Sequence, residues 1–60
     1  MTQYQKAVLV MDYLQSLGVR MIAVGRAVCD KNLEASYKLI QENPKISKTE
    51  FLERMQISEE

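Results

Sequence analysis

Four local signals that start or stop a helix cut these 60 residues into pieces too short for anything but a small helical bundle. Thr2-Gln3-Tyr4-Gln5 has the S/T-x-x-E/Q form, in which a hydroxyl and a side-chain amide each cap an orphan backbone N–H, so a first helix is expected to begin at Thr2. Leu17 closes its apolar run, and Gly18 suits the left-handed position just past a helix end. Asn43 precedes Pro44, which disfavours helical backbone at Asn43 and ends a later helix there. Ser47-Lys48-Thr49-Glu50 is a second capping box, and Ile46 with Phe51 supplies the hydrophobic staple across it. With the apolar spacing between these signals, the sequence predicts one all-α domain over 1–60, with short helices at about 2–17, 19–30, 32–42 and 47–56.

The first of these helices is apolar nearly all round. Tyr4, Ala7, Val8, Met11 and Leu14 recur at helical spacing on one face, while Leu9, Val10, Tyr13 and Leu17 make a second strip. Gln5, Asp12 and Ser16 leave only a narrow polar seam. A central core helix has this pattern, and so does a helix shared with a second subunit. Leu9, Val10, Tyr13, Leu14 and Leu17 are therefore the candidate partner or dimer residues.

Val19–Val24 is rich in β-branched residues, lies between two glycines, and has the composition of a buried strand. No second strand-like run exists to pair with it, so a helix is the reading taken. In that helix Gly25 is expected to mark close packing against a neighbour, because glycine is costly in a helix interior. Asp30 or Asn32 is expected to cap the third helix, with Leu33, Tyr37 and Ile40 turned inward and Glu34–Lys38 paired outside. In the fourth, Phe51, Leu52 and Met55 face inward and Glu50 pairs with Arg54. Met11, Met21 and Met55 read as core fillers.

Composition narrows the function classes. Residues 1–30 carry 18 apolar side chains and five charges, whereas residues 31–60 carry 10 and eleven, so the first half reads as the buried part. Eight basic residues balance eight acidic ones, which argues against a free-standing nucleic-acid binder. There is no His, and the single Cys29 has no base to activate it among its apolar neighbours. Glu50, Glu53, Glu59 and Glu60 lack a second set of metal ligands, and Gly18 and Gly25 are too isolated to cradle a phosphate. No enzyme activity, cofactor or metal is expected. The N-terminus lacks a basic leader, Asp12, Arg20 and Arg26 interrupt every apolar run, and a lone thiol fits a reducing compartment, so a cytoplasmic chain off the membrane is expected. A domain this small has little stability margin without a disulfide or metal, and a homodimer is the expected remedy.

The stretch Leu39-Ile40-Gln41-Glu42-Asn43-Pro44-Lys45-Ile46-Ser47-Lys48-Thr49-Glu50-Phe51-Leu52-Glu53-Arg54-Met55-Gln56-Ile57-Ser58 resembles the first two helices of a helix-turn-helix or winged-helix unit. The resemblance covers about a third of the chain, and it implies a regulatory setting. Ser58-Glu59-Glu60 stands where the recognition helix of that family begins, so its base-contacting residues carry over to no position. Gln56 occupies a turn position where the family often has glycine.

The expected function is a small non-enzymatic regulator that works by protein–protein contact through a helical face, an accessory factor of phage, plasmid or bacterial type. The alternative is a DNA-binding regulator that builds a basic surface by dimerising. Arg20, Arg26, Lys45 and Lys48, with Lys31, are its candidate phosphate contacts, and the first four are the candidate charged anchors for an acidic partner.

Overall fold

The computed structural model describes all 60 residues as four helices and no strand: α1 (Gln3–Ser16), α2 (Met21–Val28), α3 (Leu33–Glu42) and α4 (Lys48–Met55). The expected boundaries hold to within two residues at every end. Val19 and Arg20 lie outside any helix, Arg20 in extended backbone, and the rest of the strand-like run is helix from Met21 onward. This all-α result follows from pairing. A lone strand would leave its ladder groups open, whereas a helix satisfies them within the segment.

The capping signals work as local chemistry. The Gln5 N–H donates to Thr2 Oγ1 at 3.1 Å and the Thr2 N–H donates to Gln5 Oε1 at 2.9 Å, completing the box. At the other end of α1 the Gly18 N–H donates to the Gln15 carbonyl and the Val19 N–H to the Leu14 carbonyl, with Gly18 at φ 80°. That is a Schellman turn, and its apolar pair, Leu14 and Val19, is buried. Only half of the second box forms. The Glu50 N–H donates to Ser47 Oγ, but the Glu50 carboxylate turns outward to Arg54 Nη1 at 3.4 Å. The staple does form, with Ile46 and Phe51 both in the core.

α3 departs from expectation at its start. Asn32 holds the cap position, but its side-chain amide donates to the Arg26 carbonyl instead of capping the helix. Glu34 does not pair with Lys38. Its carboxylate takes the Lys6 ammonium at 2.8 Å, and Lys6 also sits 5.4 Å from the centre of the Tyr37 ring. A neighbouring helix offering both a carboxylate and an aromatic face outweighs a weak pair along one helix.

The core lies between α1, α2 and α3, closed at one end by α4. Val10 and Leu14 meet Val19, Ala23, Val24, Ala27, Leu33, Ile46 and Phe51, and Phe51 is fully buried. The buried Ser36 hydroxyl donates to the Ala27 carbonyl at 2.9 Å, and no buried side-chain polar atom is left without a partner. Gly25 does not pack against a neighbour. It is exposed, and a Cβ there would meet nothing within 4 Å. Met11 and Met55 pack against the core as expected, but Met21 is 59% exposed.

Candidate interaction surfaces

The five candidate interface residues of α1 fall in different places. Val10 and Leu14 are 1% and 0% exposed, so as folded they are core residues and cannot meet a partner. Leu17 is half-buried against the same core. Tyr13 is half-buried too, and its hydroxyl donates to the Ile46 carbonyl, tying α1 to the turn before α4. Leu9 alone is open, at 47% exposure. It lines, with Tyr13, Ile40 and Pro44, a shallow groove of about 370 Å³ between α1 and α3. Asp12, Ser16 and Gln41 make the rest of that groove polar.

The larger apolar exposure is one that the sequence pattern assigned to the core. Tyr4 and Val8, one turn apart on α1, are 78% and 45% exposed. On the same side of α1, one and two turns on, lie Met11 and Gln15. Gln15 Nε2 lies 3.4 Å from Met21 Sδ, which places the start of α2 beside the end of this row. Met21 and Ile22 are 59% and 49% exposed, and Gly25 and Cys29 continue along the open side of α2. Tyr4 and Val8 on α1 and Met21, Ile22 and Gly25 on α2 thus lie open, with the exposed charges Asp12 one turn beyond Val8 and Arg26 one turn beyond Ile22. The signal for this was the width of the apolar surface on α1: α2 and α3 cover two sides of it and leave a third uncovered.

The four charged anchors are also divided. Lys45 is exposed in the turn before α4 and takes part in none of the three ion pairs. The other three meet the segment after α4. Gln56 adopts left-handed backbone at φ 57°, its N–H donates to the Glu53 carbonyl, and the Ile57 N–H donates to the Leu52 carbonyl. This second Schellman turn sends Ile57–Glu60 back across the molecule. Arg26 Nη1 donates to the Ser58 and Glu60 main-chain oxygens at 2.7 and 2.8 Å. The Glu59 carboxylate accepts the Arg20 N–H at 3.0 Å and pairs with Lys48 Nζ at 3.3 Å. The Arg20 N–H, with the Lys48 ammonium and the Arg20 charge, holds the Glu59 carboxyl below its ordinary value of 4.5, against a smaller opposing effect of desolvation. α2 has no side-chain cap of its own, and the Glu59 carboxylate sits at its electropositive start instead. The sequence weighs Glu59 only as a metal ligand and does not disclose this role, because its partners lie 11 and 39 residues away along the chain.

Cys29 is exposed, and its thiol donates to the Arg26 carbonyl at 3.1 Å. α4 carries Lys48, Glu50, Glu53 and Arg54, two positive and two negative charges, so the helix that follows the turn has no basic surplus for phosphate. No protein-family model, curated protein or solved structure matches the chain.

Proposed function

We propose that this chain is a small non-enzymatic protein that works by protein–protein contact through the open side of α1 and α2, and that its partner there is a second copy of itself. The observation that carries this reading is the run of Tyr4, Val8, Met21 and Ile22, four large apolar side chains each at least 45% exposed, on adjoining helices. Single exposed apolar residues need no explanation, but several on adjoining helices favour a contact site. An apolar surface is complementary to itself, and the exposed charges beside it, Asp12 one turn beyond Val8 and Arg26 one turn beyond Ile22, can stay in water at its edges. Gly25 in the same region leaves room for a facing side chain to approach the α2 backbone.

This places the contact beside the strip of Leu9, Val10, Tyr13, Leu14 and Leu17, not on it. A regulatory role fits a protein of this type, because a dimer of four-helix units offers binding surfaces and no catalytic group. Sedimentation equilibrium tests the reading. A mass near twice 6.9 kDa at micromolar concentration is expected, falling to 6.9 kDa for Ile22→Lys while the helical circular dichroism is kept. A wild-type chain that stays monomeric across the concentration range would remove the proposal.

A further inference from the structure

The fold gathers two basic side chains, one from α2 and one from α4, and the backbone N–H of Arg20 around the last four residues, Ile57–Glu60. Arg26 comes from the last turn of α2, Arg20 from its N-cap, and Lys48 from the first turn of α4. The pattern of contacts is that of a peptide reader. The Arg26 guanidinium takes main-chain oxygens two residues apart, at Ser58 and Glu60, and such contacts ask nothing of the side chains. The side chain between them, Glu59, is read as a carboxylate by one backbone N–H and one ammonium. Charge-assisted donors aimed at both the main chain and an acidic side chain define a ligand of one chemistry.

We propose that Arg20, Arg26 and Lys48 form a seat for an acidic peptide segment of a partner protein, and that Ser58–Glu60 is an internal ligand which fills it. The inference stands apart from the apolar surface of α1 and α2 and does not need it. Ile57 is the fixed end of the strap, packed against the core and bonded to Leu52 through its N–H. Beyond Ile57 the strap holds on through polar contacts at the surface, and exposed ion pairs of this kind contribute little. Releasing Ser58–Glu60 therefore removes the carboxylate from the start of α2 but takes no buried residue out of the core. An outside peptide with the same spacing of carbonyls and carboxylate then competes for the same donors. A strap seated about nine-tenths of the time weakens such a peptide about tenfold, by the fraction of molecules left competent to bind.

The test uses a fluorescently labelled, acetylated and amidated Ile-Ser-Glu-Glu peptide and the full chain. Glu59→Lys removes the internal carboxylate and repels Lys48, so binding by anisotropy should tighten about tenfold relative to the unaltered chain. Adding Arg26→Gln to Glu59→Lys should abolish that gain, and an Ile-Ser-Gln-Gln peptide should not bind either variant. The proposal is overturned if Glu59→Lys binds no more tightly, if the gain survives Arg26→Gln, or if the glutamine peptide binds equally. Should Glu59→Lys fail to fold, the unaltered chain decides by NMR. Excess acidic peptide must move the Arg20 amide and Arg26 Nε resonances and leave that of Phe51 in place, and no movement sinks the idea.

Discussion

The two sides of α1 carry the same kind of residue and meet opposite fates. Val10 and Leu14 disappear into the core, while Tyr4 and Val8, equally apolar and on the same helix, remain open. The difference is made elsewhere. α2 and α3 both pack on α1 and between them enclose Val10 and Leu14, and α4 adds Phe51 at the end of that enclosure. No element crosses the remaining side. A helix that is apolar nearly all round is thus satisfied by its own fold on one side only, and the excess on the other is available for association.

Substitution should separate the two sides most sharply in stability. Leu14→Ala empties a fully buried site and is expected to cost about 2–5 kcal/mol. Val8→Ala, on the open side, should stay within about 0.5 kcal/mol of the wild type in the monomer. Urea denaturation of both variants at low protein concentration checks this, and equal losses would mean that the open side is covered within the monomer.

A second pairing lies at the ends of α1 and α4, which use the same Schellman turn with different residues in the left-handed position. Gly18 adopts φ 80° without strain, whereas Gln56 holds φ 57° with a Cβ in place. Left-handed backbone costs a residue with a Cβ about 1–2 kcal/mol, of which glycine gives back part through its freer unfolded chain. Gln56→Gly should therefore raise the stability by about 0.5–1 kcal/mol, and Gly18→Ala should lower it by about 1 kcal/mol, although the space around Gly18 is empty. Thermal melts that show no change, or the opposite signs, would break the parallel.

The smallest effect concerns pH. The Glu59 carboxyl titrates below its ordinary value of 4.5, so its contribution to stability is present above that value and is lost as pH falls through the lower folded value. Glu59→Gln should be less stable than the wild type near neutrality, with the gap closing below pH 4.5 as the wild-type carboxyl is protonated. Unfolding midpoints at a series of pH values read this directly, and a constant gap would contradict it.

How far the sequence discloses this protein depends on the range of each interaction. Helix limits are legible because caps, glycine and proline act over three or four residues, as at Thr2, Gly18, Asn43 and Ser47. The side of α1 that stays open is not, because Val8, Leu9 and Val10 are alike as side chains and only the placement of other helices separates them. Glu34 shows the same limit. Lys38 is its neighbour along the helix, but Lys6, 28 residues away, takes the carboxylate. Arg26 likewise reads as a free surface charge until the strap 32 residues later is seen to occupy it. Gly25 was legible as an exception within a helix, and its role as open space was not.

The most direct test of the open side is a dilution series by heteronuclear NMR. Association through this surface should shift the amide signals of Val8, Met21, Ile22 and Gly25 with concentration, and leave those of Leu33, Ser36 and Phe51 unmoved. Signals that hold still throughout, or shifts confined to α3 and α4, would contradict the account.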